Sequence, residues 1–262
     1  EKIQVDGEKI NKESLAAHVT AIAEATRDMQ EKNAGTPTVF EVETVLAILY
    51  FKEKHCDLVV LETGMGGLLD ANIISTTVLE VLTSISMDHM EFLGNTLAKI
   101  AEQKAGIIKP HTSVVSAKQE MEAEQVIREV CDRQECSLRS VDPEAIKDVH
   151  YGCGTQSFSY KNWTDVKISL AGSYQIWNAS LALEAVWALQ RMGYNLTEKQ
   201  IRDGLQKTTV LRLFRRSRTS SWMVHTIRRQ HRHFGIRFRS IFRVVGCIMY
   251  SECFRIRIIR RS

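Results

Sequence analysis

The sequence lacks several features that would place it in a special class of protein. No stretch of about 18 apolar residues occurs, which argues against a transmembrane helix. None of the six cysteines has CxxC or metal-finger spacing, so reduced thiols in a cytoplasmic protein are expected. The first residues include neither an initiator Met nor an apolar signal region. We therefore expect the chain to begin inside a longer protein.

Acidic residues are almost missing from the last part of the chain. Residues 1–207 carry 21 basic and 30 acidic side chains, whereas residues 208–262 carry 14 arginines, no lysine and one acid, Glu252. The second segment, here called the basic tail, also lacks Asp, Asn, Ala and Pro. A basic segment with interleaved Phe residues is one pattern of RNA-binding proteins. The loss of five residue types at one boundary instead favours an out-of-frame or disordered tail, without nucleic-acid binding.

Hydrophobic periodicity over residues 1–207 predicts strands that alternate with helices. This order predicts an α/β domain with a mostly parallel sheet flanked by helices. Predicted helices cover residues 14–32, 38–54, 96–106, 120–134, 173–192 and 197–206. Predicted strands cover residues 57–62, 78–85, 113–116 and 137–141, and a hairpin covers 158–170. In the second helix, Phe40, Val45, Ile48, Leu49 and Phe51 are expected to face mostly inward.

The first candidate site follows a predicted strand that ends in an acid, Glu62. Gly64, Gly66 and Gly67 come directly after it, and such glycines let a backbone approach a ligand closely. A carboxylate at the end of a buried strand can bind Mg²⁺. A glycine-rich turn beside a solvated glutamate explains the same pattern equally well.

Two further candidates come after the next strand. Asp88 and His89 form either part of a metal site or a hydrogen-bonded turn, and the second reading is the commoner one. Lys104 falls in the last turn of a mainly apolar helix, where a cation complements the helix dipole. The alternative is a partly buried lysine that is held near a metal and chemically modified.

Together these segments resemble the folylpolyglutamate synthases of the Mur ligase superfamily, over residues 1 to about 209. The family motifs, as they stand here, are E-K-I-Q-V-D-G at residues 1–7, T-V-F-E at 38–41, E-T-G-M-G-G-L-L-D at 62–70, D-H at 88–89, L-G at 93–94, K-A-G-I-I-K at 104–109 and G-S-Y-Q-I-W-N-A at 172–179. The sequence departs from the family at Thr63, where Val is usual, at Leu68, at Asn72–Ile73, and at Tyr174, where His is usual.

The resemblance implies an ATP-dependent carbon–nitrogen ligase of the EC 6.3.2 type, with dihydrofolate synthase activity as a further possibility. It implies that Glu62, His89 and a carbamylated Lys104 hold two Mg²⁺ ions. It also implies that Asn178 and Gln175 bind ATP together with the glycines of the turn, Gly64, Gly66 and Gly67. Folate or dihydropteroate and L-glutamate are the implied substrates, joined through an acyl phosphate. A cytoplasmic monomer without a membrane partner is expected.

Two family segments do not occur in the 262 residues. No G-x-N-G-K-G-S-like phosphate loop is present, and we expect it upstream of Glu1. The W-P-G-R-like motif and the C-terminal glutamate ligase domain of the family are also missing after residue 207. The chain is therefore expected to be inactive by itself. The alternatives are another Mur-type amino-acid ligase and a non-catalytic basic protein that binds nucleic acid.

Overall fold

The computed structural model describes residues 3–70, 77–87, 93–152 and 154–208, together with the backbone of residues 253–257. Six α-helices in this part of the chain confirm the predicted helices, with ends that differ by one or two residues. They are α1 (Lys12–Glu31), α2 (Val39–Glu53), α3 (Leu97–Ala105), α4 (Met121–Arg133), α5 (Tyr174–Arg191) and α6 (Glu198–Lys207).

The described strands form three sheets. A short hairpin comprises β1 (Gln4–Val5) and β2 (Glu8–Lys9). The main sheet has the order β3-β10-β4-β5-β6, with β3 (Val59–Glu62), β4 (Leu79–Leu82), β5 (Ser113–Ser116), β6 (Ser137–Ser140) and β10 (Cys253–Arg257). A third, antiparallel sheet contains β7 (Ile146–His150), β8 (Gln156–Tyr160) and β9 (Trp163–Ile168). The predicted hairpin is confirmed as β8 and β9, and β7 is an additional strand.

Four strands of the main sheet run in the same direction. β4, β5 and β6 pair in parallel. β3 shares their direction because β3 and β4 are both antiparallel to β10. The predicted mostly parallel sheet is therefore confirmed, and the carboxyl ends of β3 to β6 meet at one edge. Ligands of open parallel α/β sheets bind at this edge.

Helix α5 lies at the centre of the domain. It packs against the main sheet and against β8, and twelve of its residues are buried. Apolar side chains of β4, β8, β9 and α5 share one core, whereas α3 and α4 cover the other side of β4 and β5. Burial on both sides explains why β4 and β5 read as short apolar runs rather than as alternating patterns.

The predicted inward face of α2 is only partly correct. The structure buries Thr44, Leu46, Tyr50 and Phe51, whereas Phe40 and Val45 are exposed. Apolar residues occur on almost every side of this helix, so the sequence contains no strong preference for one face. The packing against β3 and the N-terminal hairpin selects the buried face.

One short segment of the basic tail has a described backbone. The backbone of Cys253–Arg257 forms β10 and pairs with both β3 and β4. Residues 209–252 and 258–262 lie outside the described part. No helix among the described residues combines the length and apolar character that crossing a membrane requires.

Two buried cysteines are expected to resist alkylation in the native protein. Burial raises the pKa of Cys131 to about 12 and that of Cys56 to about 11, from the ordinary value of 9.0. Only the thiolate reacts rapidly. Iodoacetamide at pH 8 should therefore modify both residues far more slowly than the partly exposed Cys136, as peptide mass spectrometry would show.

The same two thiols should make the free energy of unfolding depend on pH. Their folded pKa values are raised, so their contribution is fully present below about pH 9 and is lost as the pH rises toward 11 to 12. Replacing Cys131 with alanine should weaken this dependence. Equal native labelling rates for Cys131 and Cys136 would contradict both expectations.

Candidate functional site at the carboxyl edge of the sheet

Glu62 ends β3 at the carboxyl edge of the sheet. Val59, Val60 and Leu61 are buried in the strand, whereas Glu62 is exposed. The adjacent Thr63 hydroxyl oxygen is buried and has no hydrogen-bond partner among the described residues. The strand therefore presents a carboxylate and a hydroxyl oxygen at the place where parallel sheets bind ligands.

The glycine turn, residues 63–70, is closed by a buried carboxylate. Oδ2 of Asp70 accepts hydrogen bonds from the backbone N–H groups of Gly64 and Met65, at 2.8 and 3.2 Å. The backbone N–H of Asp70 in turn donates to the carbonyl of Gly67 at 3.2 Å. These bonds explain why the segment that begins at Glu62 ends in an aspartate eight residues later.

The T-V-F-E segment positions α2 against this turn. Thr38 and Glu41 form a reciprocal capping box, in which Glu41 Oε2 accepts from the Thr38 backbone N–H at 2.6 Å. That bond lowers the pKa of Glu41 below its ordinary value. A Cβ atom on Gly64 would lie 2.6 Å from the Phe40 ring. The motif thus starts a helix and places an aromatic ring against the turn.

The opposite side of the glycine turn lies on the C-terminal end of α3. The backbone N–H of Leu68 donates to the carbonyl of Gln103 at 2.9 Å. A Cβ atom on Gly67 would meet that carbonyl at 2.8 Å, and one on Gly106 would meet Leu68 Cα at 2.5 Å. The glycines therefore allow two backbones to touch, which explains their positions by packing.

Replacing Gly67 with alanine should lower the free energy of unfolding by at least about 2 kcal/mol. The backbone has φ +153°, and the added methyl would lie 2.7 Å from Ile107 Cγ2 as well as against two backbone carbonyls. Gly154→Ala is the matched control, because no atom lies within 4 Å of its Cβ position. Urea unfolding would measure both, and equal midpoints would contradict the packing explanation.

Lys104 occupies the last turn of α3, as its sequence predicts, and its side chain is only 3% exposed. The turn that follows Glu62 contacts the same end of this helix, because the Gly67 Cβ position lies 3.0 Å from the Lys104 carbonyl. The structure thus brings the glycine turn and the K-A-G-I-I-K segment together. A buried lysine at this position needs an explanation beyond the helix dipole.

Two of the three predicted metal ligands, Glu62 and Lys104, lie among the described residues. His89 and Asp88 lie outside the described residues. Within the described part, no group of three or more His, Cys, Asp or Glu side chains could hold a metal ion. Glu62 fits a hard divalent cation as an oxygen ligand. An ammonium group at Lys104 cannot ligate a cation, so Lys104 fits the site only as an oxygen-bearing derivative.

A cleft of about 300 Å³ opens at the same edge beyond β4, β5 and β6. Ser84, Ala117, Lys118 and Val141 follow the strand ends, and Tyr174, Trp177 and Asn178 come from the first turns of α5; together they line the cleft. Asn178 Nδ2 donates to Oε1 of the buried Gln175 at 3.3 Å. The structure therefore places Asn178, but not the glycine turn, in the wall of this cleft.

One buried residue of the edge was not identified from the sequence. Gln119 accepts from the backbone N–H of Ile85 at 2.9 Å and donates to the carbonyl of Thr83 at 2.8 Å. It thereby ties the segment after β4 to the end of β5. The available signal was a polar residue three positions after a buried strand. Its hydrogen-bond partners lie 34 to 36 positions away in the sequence.

The sheet, the glycine turn and the amide-lined cleft define a parallel α/β domain with a cleft at the carboxyl edge. The chain belongs to the Mur ligase family, since the Mur ligase middle domain matches residues 8–186.

Named relatives agree with this assignment. The chain is 36% identical over 215 residues to the dihydrofolate synthase/folylpolyglutamate synthase of Bacillus subtilis, covering 79% of this chain and 50% of the relative. It is 34% identical over 214 residues to the folylpolyglutamate synthase of Lacticaseibacillus casei, covering 78% and 50%. A solved FPGS-AMPPCP-folate complex has a TM-score of 0.70 at 29% identity and covers 76% of this chain and 50% of that one. The chain spans about half the length of these relatives.

Proposed function

We propose that residues 1–207 are the ATP-binding part of a folylpolyglutamate synthase, which joins L-glutamate to folate. The observation that carries the proposal is the contact of three motifs at one edge of the sheet. Phe40 of T-V-F-E lies against Gly64 of the glycine turn. Leu68 of that turn bonds to Gln103, directly before K-A-G-I-I-K. Segments that are distant in sequence therefore form one surface.

The cleft at the start of α5 suits the adenosine part of ATP. The exposed rings of Tyr174 and Trp177 offer flat apolar surfaces, and the Asn178 side chain offers an amide for a polar edge. The side-chain carbonyl of Gln175 accepts a hydrogen bond from the Asn178 amide and so helps to orient it. A solved FPGS-AMPPCP complex has a TM-score of 0.71 to this chain at 30% identity, which supports nucleotide binding by this fold.

Glu62, His89 and Lys104 are the proposed holders of two Mg²⁺ ions. Lys104 would act as a carbamate, formed when its amine nitrogen bonds to the carbon of CO₂ and loses a proton. Bound Mg²⁺ would neutralise negative charge on the phosphates. The exposed carboxylate of Glu62 supplies an oxygen at the strand end, and the hydroxyl of Thr63 beside it provides a further polar contact.

The proposed reaction has two steps. A carboxylate oxygen of folate attacks the γ-phosphorus of ATP, which releases ADP and forms an acyl phosphate. The amine nitrogen of glutamate then attacks the acyl carbon, loses a proton and displaces phosphate. The same steps on dihydropteroate would give dihydrofolate synthase activity. The protein contributes mainly by positioning the reactants and by stabilising developing charge. We place the complete enzyme in the cytoplasm, consistent with the free thiols of the described cysteines. We expect it to be a monomer.

A chimaeric enzyme tests the proposal. Residues 8–186 would replace the matching segment of the Bacillus subtilis relative, and ATP-dependent addition of labelled glutamate to a reduced folate would be measured. We expect measurable product with folate as acceptor. A chimaera that folds with native circular dichroism and binds ATP, yet transfers no glutamate, would contradict the proposed function. The 262-residue chain alone is expected to give no product.

A further inference from the structure

The chain leaves strand β4 two residues before it reaches the cleft. Leu82 is the last residue of β4, and residues 83–86 form no regular element. The backbone N–H of Ala117, directly after β5, still donates to the carbonyl of Leu82 at 2.7 Å. Thr83 and Ile85 are also buried, and buried backbone N–H and C=O groups require hydrogen bonds. The segment after β4 therefore needs support of another kind than a strand ladder.

The side chain of Gln119 supplies this support. Its Oε1 accepts from the backbone N–H of Ile85 at 2.9 Å, and its Nε2 donates to the carbonyl of Thr83 at 2.8 Å. A primary amide carries the same kinds of donor and acceptor as a peptide group. The two bonded groups lie on either side of Ser84 in the chain. Gln119 therefore continues the pairing of β4 past its end, as a residue of a neighbouring strand would.

Gln119 is itself held in one orientation. It is only 6% exposed, and its Nε2 also donates to Ser116 Oγ at 3.0 Å. The Ser116 hydroxyl donates in turn to the carbonyl of Ala117 at 2.9 Å. Both amide hydrogens and the amide oxygen of Gln119 are thus engaged. A buried amide in which every polar group has a partner holds its neighbours in one arrangement.

The residues that Gln119 supports line the cleft, whereas Gln119 lies behind them. Ser84 is exposed between two buried neighbours and forms part of the cleft wall. Ala117 and Lys118, which directly precede Gln119, belong to the same wall. Gln119 does not line the cleft, so it can affect a bound ligand only through these residues.

We propose that Gln119 is a positioning residue of the nucleotide cleft, which fixes Ser84 against the chain that leaves β5. The inference rests on the proposed function, in which this cleft takes the adenosine part of ATP. Without the amide, the segment around Ser84 would lose two hydrogen bonds and move away from β5 toward water. The altered wall would weaken the binding of nucleotide before and during the reaction alike. Such a change raises KM and leaves kcat nearly unaltered.

Gln119→Leu in the chimaeric ligase tests the proposal, because leucine keeps much of the volume and offers no hydrogen bond. The KM for ATP and the Kd of AMPPCP should rise at least about tenfold, while kcat and the KM for glutamate stay within about twofold of the parent. Should this variant not fold, Gln119→Glu removes only the amide donor and should change both constants in the same direction. A Kd of AMPPCP equal to that of the parent would overturn the proposal.

Thr112→Val is the matched control. Thr112 directly precedes β5, at the opposite edge of the sheet, and its hydroxyl donates to the carbonyl of Lys109 at 2.8 Å. This variant also removes a bond from a side chain to a backbone carbonyl, yet it should leave the Kd of AMPPCP unchanged. An equal rise of the Kd in both variants would refute a specific role of Gln119.

Hydrogen exchange in the 262-residue chain separates positioning from a general loss of stability. The amide of Ile85 should exchange at least about tenfold faster in Gln119→Leu, while the amides of Val114 and Val115 in β5 keep their protection. Equal acceleration at all three amides would show a merely structural role. A parent chimaera that binds AMPPCP but transfers no glutamate would contradict the proposed function and leave this inference standing. A folded parent that binds no AMPPCP would overturn this role of Gln119.

Discussion

Replacing Lys104 with alanine in the chimaeric ligase is expected to lower kcat at least about a hundredfold. The side chain is only 3% exposed and belongs to the helix end that supports the glycine turn. As a carbamate it would hold the metal ions that neutralise charge on the transferred phosphate, and alanine offers no oxygen in its place. Initial rates of glutamate addition, with ATP saturating, would measure the effect.

Chemical rescue separates the proposed role of Lys104 from a loss of folding. Short carboxylic acids should restore part of the activity of Lys104→Ala, since they supply the missing oxygens. Lys99→Ala is the matched control, because Lys99 lies on the same helix with an exposed side chain. Its activity should remain near that of the parent. An active Lys104→Ala enzyme without added acid would eliminate the carbamate from the mechanism.

Replacing Glu184 with glutamine is expected to lower the free energy of unfolding by about 3 kcal/mol. This carboxylate on α5 is 1% exposed and accepts hydrogen bonds from the Tyr160 hydroxyl at 2.7 Å and from Lys161. Its second oxygen lies 3.6 Å from Arg139 Nη1 on β6. Both cations also lie over the Trp187 ring. Glutamine would leave the two cations without their shared buried anion.

The Glu184 network joins the antiparallel sheet to the main sheet through α5. Burial also raises the pKa of Tyr160, as expected for a phenol that donates to a carboxylate inside the core. Glu198→Gln provides the control, because Glu198 forms an exposed i,i+4 pair with Arg202 at 2.7 Å. It should change the free energy of unfolding by at most about 1 kcal/mol. Equal urea midpoints for the two variants would show that the network contributes little.

Local sequence patterns predicted the elements of this domain well. The predicted helix over 120–134 is α4, Met121–Arg133, and the predicted strand over 113–116 is β5. Both depend on interactions within a few residues: the apolar period, the turn residues that follow and the absence of breakers. The short strand β7 was missed because its residues are half exposed and show no continuous apolar run.

For the candidate site residues, the sequence predicted positions that the structure confirms and roles that remain predictions. The positions of Glu62 at a strand end and of Lys104 in a last helical turn followed from the sequence and are confirmed. Their proposed roles as metal ligands remain predictions, as do those of Asn178, Gln175 and the three glycines. His89 lies outside the described residues. The structure adds a packing reason for Gly64 and Gly67 that no local pattern contains.

The α/β class, the six helices and the family motifs could be read from local sequence, because each depends on neighbouring residues. Long-range packing selects the buried face of α2, brings Phe40 against Gly64, and lets Glu184 join three elements. The same holds for the position of the Cys253–Arg257 backbone between β3 and β4. These contacts join residues that are far apart in the chain, and backbone hydrogen bonding between strands depends on geometry rather than on side-chain pattern.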